Sequence, residues 1–422
     1  MTSSGVDRSD PAWAALRFRY LADVRKGRLP SQQGPTSEGL PLVPYLSMDY
    51  LRGEVDEPTL IPVEDGLLLA DTGDLLLLWD GSNAGEFMRA KAGVVSSTAA
   101  LVVPKNVNPS FFYWACKAQE TVLRTETVGM GIPHVSGESL ANLRVPLPPP
   151  DCQRAIAGYL DREMARLDAM VAAKERALGL LAEKRRALIT RAVTRGLDPR
   201  APLRDSGIPW LGEIPMHWEI WTLGHVALVG NGSTPNRDSP KYWLEGSVPW
   251  VNSSVVNQEE VIAADQFVTA TALHECHLPL VRPGSVLVGI TGQGKTRGQA
   301  VVLSFEATVN QHIAFITPCT DRLDAWFLRW ALFAAYEFLR SISDDAGGTK
   351  GALTCEDLAT LRVPLPPIAQ QRAIVEQVAK ETAKLDAVRS ATERTIVLLK
   401  ERRAALIVAA VTGKVRVREV IA

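Results

Sequence analysis

Gly289-Ile-Thr-Gly-Gln-Gly-Lys-Thr296 fits the phosphate-loop spacing G-x-x-x-x-G-K-[ST] in full. Such a loop works because glycine amides and the N-terminus of a succeeding helix converge on the anion. Ser285–Val288 supplies a β-rich lead-in. Past Thr296, however, the chain runs on as Arg297-Gly-Gln-Ala-Val-Val-Leu303, a glycine and a second β-rich run with no helix start. The stretch therefore reads as a hairpin loop offering Lys295 and Arg297 to phosphates or guanine edges. A nucleotide-binding enzyme built on Gly289–Thr296 stands as the alternative.

His274-Glu-Cys-His277 carries soft metal ligands, yet no second ligand pair lies at the spacing of a structural zinc site, so it reads as a polar turn. Asn108-Pro-Ser-Phe111 is close to the N-P-P-[YF] site of amino-methyltransferases but lacks the second proline and a glycine-rich cofactor loop upstream. No catalytic residue and no metal ligand is assigned. What remains are basic and polar residues on loops rich in Gly, Pro and Ser. In the first half these are Arg25, Lys26, Arg28, Arg52, Arg89 and Lys91; in the second they are Thr234, Arg237, Lys241, Asn252, Lys295, Arg297 and Lys350. Arg, Lys, Asn and Gln have the geometry that reads base edges in the major groove, and Arg and Lys also hold phosphates.

The elements that must position these loops come from a duplication. Leu143–Thr194 returns as Leu361–Thr412 at a constant offset of 218, with more than half the positions identical. A self-match of that length governs every local reading. Both copies open with LRVPLPP, whose prolines forbid a helix, and continue with apolar residues at alternating three- and four-residue steps. The first stripe is Leu160, Met164, Leu167, Val171, Leu178, Leu181, Leu188 and Ala192; the second is Ile374, Val378, Leu385, Ile396, Leu399, Leu406 and Ala410. This a/d pattern predicts two long helices pairing along a seam, with Lys174, Arg185, Arg389 and Arg403 as polar layers that fix register. About 42 helical residues make a rod of roughly 60 Å.

The chain divides into globule, rod, globule, rod: 1–150, 151–204, 205–368 and 369–422. The globules echo each other more faintly. Val95–Pro104 resembles Val309–Pro318, each apolar at its ends and polar at its centre, and Phe111–Ala115 resembles Phe327–Ala331. Strands are expected at Leu75–Trp79 and Ala99–Val103 and a helix around Ser110–Arg124. The shared strands and unlike loops suggest two related modules that read two different things. A formal net charge of −1 hides a segregation: the rods are net basic and the globules net acidic. A chain gripping a polyanion unaided would show a basic docking face, so contact must come from local patches or from partners. Five widely spaced cysteines imply no disulfide frame. The N-terminus lacks a signal-peptide core and the longest apolar run is too short to span a bilayer, so a cytoplasmic location is expected.

Trp210-Leu-Gly-Glu-Ile-Pro-Met-His-Trp218, the loop Gly230-Asn-Gly-Ser-Thr-Pro-Asn-Arg237, the duplicated closing phrase L-x-x-LRVPLPP-x-x-x-Q and the duplicated LL-x-E-x-R-x-ALI resemble the specificity subunit of type I restriction-modification systems. The resemblance covers essentially the whole chain. It implies an α+β fold of two mixed α/β target recognition domains, each followed by a long helix, the helices pairing as an antiparallel coiled coil. It also implies a non-catalytic subunit that reads a bipartite double-stranded DNA target and docks two modification (methyltransferase) subunits, with restriction subunits where present. S-adenosylmethionine and ATP are expected on those partners and no cofactor on this chain. DNA grooves recur on one face about every 34 Å, which suits two readers held by such rods in different turns of the duplex. A coiled-coil scaffold with two protein-binding globules is the remaining alternative. The chain departs from the pattern at its start: Ser9-Asp-Pro-Ala-Trp13 opens the first globule without the WLGEIP phrase.

Overall fold

The computed structural model describes residues 13–29, 41–63, 65–127, 132–292, 294–344 and 351–415. Contacts divide the chain into two compact units, residues 1–175 with 393–422 and residues 176–392. Each unit holds one globule and one half of each long helix.

The two rods are the helices Pro150–Arg195, of 46 residues, and Ile368–Val411, of 44. Each begins where the proline phrase ends, and each stops at a glycine with positive φ, Gly196 (72°) and Gly413 (80°). Glycine is required there twice over. Its backbone is left-handed, and a Cβ would lie 3.1 Å from the Trp218 ring at Gly196 and 3.2 Å from the Trp13 ring at Gly413. Trp13 thus occupies in the first unit the place that Trp218 occupies in the second, and the missing WLGEIP phrase does not alter that seat.

Within the first unit, Leu160, Met164 and Leu167 of the first rod share a core with Leu399, Ile407, Ala410 and Val411 of the second. The ion pairs Arg403–Asp168 (3.3 Å) and Lys400–Glu175 (3.9 Å) give the helices opposite directions. Within the second unit, Ile189, Ala192 and Val193 pack with Ile374 and Val378, and Arg185 meets Asp386 at 3.7 Å, again antiparallel. The seam therefore forms as its apolar spacing requires. At about 1.5–3 kcal/mol per buried aliphatic side chain, its core outweighs its ion pairs. Arg389 departs from the expected polar layer: it is exposed and pairs along its own helix with Asp386.

The LRVPLPP phrase is a strand in both units. Arg144–Pro146 pairs antiparallel with Ala15–Arg17, and Arg362–Leu365 with Glu219–Thr222. Immediately after it, a buried glutamine fastens rod to globule. Gln153 accepts from the Asn108 N–H (2.8 Å) and donates to the Pro148 carbonyl (2.9 Å). Gln371 accepts from the Asp324 N–H (2.9 Å) and donates to the carbonyls of Pro366 (2.8 Å) and Arg322 (2.6 Å). Asn108 and Asp324 cap the helices Pro109–Lys117 and Ala325–Ala334, the aromatic helices of the two globules. The helix expected around Ser110–Arg124 is split in two, Pro109–Lys117 and Glu120–Thr125.

Each globule is built on a main antiparallel sheet. In the first the order is Ala22–Lys26, Ala99–Pro104, Leu75–Leu78, Phe87–Arg89. In the second it is Ala227–Asn231, Ile313–Pro318, Ser285–Gly289, Ala300–Leu303, with Glu260–Val261 added at the edge in parallel. A second, mixed sheet accompanies each. In it Leu42–Leu46 runs parallel to Gly93–Val95, and Val248–Val251 runs parallel to Thr308–Val309.

Candidate nucleic-acid interface

Strand register decides which loops can act together. In the second unit Asn231 lies opposite Ala314, and Gly289 opposite Ile313. The loops after Asn231, after Gly289 and before Ile313 therefore leave the same end of the sheet. Hydrogen bonds join them: the Thr234 hydroxyl donates to the Gln311 amide oxygen, and His312 Nδ1 lies 2.9 Å from the Thr291 hydroxyl. Asn252 follows the strand paired to Val309, and the Asn310 N–H bonds the neighbouring Val251 carbonyl (3.0 Å), which brings Asn252 to the same end.

Arg237 completes this cluster. Its guanidinium lies over Trp243 and Trp250, 4.0 and 4.6 Å from the ring centroids, and donates to Gln266 (2.7 Å). Stacking fixes the plane of the fork while leaving the residue exposed, the condition for bidentate contact with guanine or phosphate. Lys241 pairs with Glu275 at 2.6 Å, and the Tyr242 hydroxyl bonds the same carboxylate (3.0 Å). These bonds hold Glu275 below the ordinary carboxylate range and Lys241 above its ordinary value. Lys295 is exposed, with no ion-pair partner among the described residues.

Arg297 does not belong to this surface. It is 2% exposed, ion-paired to Asp344 and packed against Gly351, where a Cβ would collide with its guanidinium. The turn that exposes Lys295 folds the next-but-one side chain back under the helix Tyr336–Asp344, so Arg297 holds the loop from within. The same turn closes a hairpin, with Gly298 N–H on the Gly289 carbonyl (2.8 Å), and the chain continues as strand Ala300–Leu303. No helix begins at Lys295-Thr296, so the phosphate-loop spacing lacks the amide cradle its chemistry needs. Lys350 lies outside the described residues.

The first unit has the corresponding sheet end. Lys26 lies opposite Ala100, and Leu78 opposite Ala99. Arg25, Lys26 and Arg28 are exposed there, Lys26 pairing with Asp80 at 2.7 Å. Arg52 is neutralised by Glu86 at 2.6 Å. Arg89 and Lys91 are carried away from this end, because the hairpin places Arg89 opposite Leu75. There Arg89 pairs with Asp161 of the first rod (2.9 Å) over the Tyr113 ring, and Lys91 donates to the Tyr50 carbonyl (2.8 Å). Their contacts are those of scaffold residues.

Thr291, Gln266, Gln311 and His312 are not singled out by sequence reasoning. The available signal was the polar interruption Asn310-Gln311-His312 within an apolar run. Its counterpart at the same place in the first globule is Ser96-Ser97-Thr98, where Ser96 and Thr98 bond through their hydroxyls (3.0 Å). At His274–His277, Glu275 is engaged by Lys241, and no group of three or more potential metal ligands gathers among the described residues. No helix among them is long and apolar enough to cross a membrane.

The family model for the type I restriction modification DNA specificity domain matches residues 13–175 and again 215–389, one match for each globule with the start of its rod. The chain belongs to the type I restriction-modification specificity family. Over 96% of its length it is 26% identical to the type I restriction enzyme MjaVIII specificity subunit of Methanocaldococcus jannaschii, covering 93% of that protein. It is 22% identical to the EcoBI specificity subunit of Escherichia coli over 89% of this chain and 81% of that one. Two solved structures share the fold. One is a chain from a type I restriction-modification system studied for its assembly and conformational transition (TM-score 0.72, 18% identity, 96% of this chain and 99% of that one). The other is the HsdS subunit of Thermoanaerobacter tengcongensis (TM-score 0.54, 19% identity, 98% and 100%). As a specificity subunit with two recognition domains, the protein has its duplicated architecture accounted for. Neither the nucleotide-binding nor the protein-scaffold alternative gains support.

Proposed function

We propose that this specificity subunit reads a split double-stranded DNA target without catalysing any reaction, each globule contacting one half through the loops at its sheet end. The carrying observation is that two scaffolds of matching strand order present unlike side chains at the same place: Gln311-His312 in one, Ser97-Thr98 in the other. Unlike tips on like scaffolds read unlike half-sites.

Two modification subunits dock on the rods and bring S-adenosylmethionine and the methyl transfer; restriction subunits, where present, bring ATP-driven functions. Supporting this are large apolar side chains left exposed on the rods at repeat-equivalent positions. Met170 (41%) and Leu398 (63%) lie in the first unit, and Val388 (52%) and Leu180 (65%) in the second. Exposed apolar groups duplicated by the repeat suit two copies of one partner. The complex acts in the cytoplasm, where its DNA is. The net acidic character of the globules is acceptable when partners share the phosphate contacts.

Sequencing the methylome of the source strain with and without this gene tests the reading. Loss of one asymmetric, interrupted methylated motif on deletion is the expected result; an unchanged methylome would remove it.

A further inference from the structure

We infer that Gln311 reads an adenine in the half-site contacted by the second module, and that Thr234 and His312 set its amide for that task. The inference rests on the proposed DNA reading and assigns one side chain to one base.

The turn carrying Gln311 is held from below. Asn310 is 5% exposed; its N–H bonds the Val251 carbonyl (3.0 Å), and its side-chain oxygen accepts from the His312 N–H (3.0 Å). With Asn310 turned inward, Gln311 and His312 are left exposed between the strands Thr308–Val309 and Ile313–Pro318.

The bonding fixes which way the amide faces. The Thr234 hydroxyl donates to Oε1. Gln311 Nε2 lies 3.2 Å from His312 Nε2. An amide nitrogen only donates, so His312 Nε2 accepts and the ring proton sits on Nδ1, facing the Thr291 hydroxyl at 2.9 Å. Among the described residues nothing else engages the amide, so one lone pair on Oε1 and one N–H on Nε2 remain uncommitted on an exposed side chain. A neighbouring acceptor and donor on one amide match N6–H and N7 of adenine in the major groove. The first module has serine and threonine at this place, with no amide, so its half-site is read by other means.

The test uses the whole chain with its modification partners in a host whose methylome is sequenced. Gln311→Ala should make one base pair degenerate in one half of the motif, lowering discrimination there about 5- to 150-fold, with the other half and the spacer unchanged. Gln311→Glu should move that position from A·T towards C·G, because a carboxylate accepts from cytosine N4. Thr234→Val, which frees the amide to rotate, should loosen the same position less. In binding assays, 7-deazaadenine at that position should weaken the wild-type complex and leave the Gln311→Ala complex unaffected. A split wild-type motif that stays unchanged at every position in Gln311→Ala would overturn the assignment while leaving the DNA reading intact. Loss of all methylation in Gln311→Ala with an unaltered motif in Gln311→Glu would also overturn it. A wild-type chain with no split motif would take down both.

Discussion

Arg403 meets Asp168 across the paired helices of the first unit at 3.3 Å, and the 218-residue repeat carries that pair onto Arg185 and Asp386, which meet at 3.7 Å in the second. Each pair marks the register that the apolar seam sets in its own unit, since a one-turn slip would put Arg403 or Arg185 against a different residue. Asp168→Arg should lower stability by up to about 1 kcal/mol, read as a lower urea midpoint, and Arg403→Asp in the same chain should restore it. Additive losses in the double variant would show that the pair does not couple.

The buried glutamines should differ in cost. Gln371 makes three side-chain bonds and Gln153 two. Replacing either with leucine strands a helix-capping N–H and at least one carbonyl, at about 1–3 kcal/mol per stranded group. Gln371→Leu should therefore lower the denaturation midpoint further than Gln153→Leu. The reverse order would mean that these bonds do not carry the junction.

Arg329 is a charge the fold tolerates. Its side chain is 7% exposed, Nε and Nη1 have no hydrogen-bond partner among the described residues, and Glu259 lies 3.9 Å away. Burial, opposed by Glu259 and aided by the nearby charge of Arg185, pulls its pKa down to about 10. The repeat places a neutral residue, Tyr113, at the equivalent position of the first module. Because Glu259 keeps Arg185 at 2.5 Å, Arg329→Met should hold or raise the melting temperature, by an amount worth up to about 2 kcal/mol. A loss of several degrees would show that Arg329 organises the site.

Lys241 is occupied by Glu275 and must leave it to touch phosphate. Glu275→Gln should strengthen non-specific DNA binding and steepen its salt dependence by about one counterion, measured by fluorescence anisotropy across a salt series. The pH dependence has a defined sign. Glu275 is held below its ordinary value of 4.5, so its contribution to stability is present above that pH and is lost as pH falls through the lowered value. Lys241 is raised above 10.5, so its contribution is full below that pH and is lost as pH climbs through the raised value. Thermal scans of Glu275→Gln against the unaltered chain should converge in acid and separate near neutrality.

The rods were legible because a duplicated a/d stripe admits little else, and the hairpin at Gly289–Thr296 because a glycine and a β-rich run come after the lysine. Other features turn on contacts distant in sequence. Arg297 looks like its neighbour Lys295 until Asp344, 47 residues on, claims it. Gln153 reads as one more polar helix residue, yet its partner is the N–H of Asn108, 45 residues earlier. Trp13 has no phrase around it to reveal that it sits against Gly413. Gln311 and His312 were hidden in a strand-like run, and only the pairing of Asn231 with Ala314 puts them beside Thr234.

The modular claim is tested most directly by exchanging residues 205–368 for the same region of a relative with a different target and sequencing the methylome of a host expressing the chimaera with its modification subunit. One half of the methylated motif should change to the relative's, with the other half and the spacer retained. A motif altered in both halves, or in neither, would contradict two independent readers on a shared helical frame.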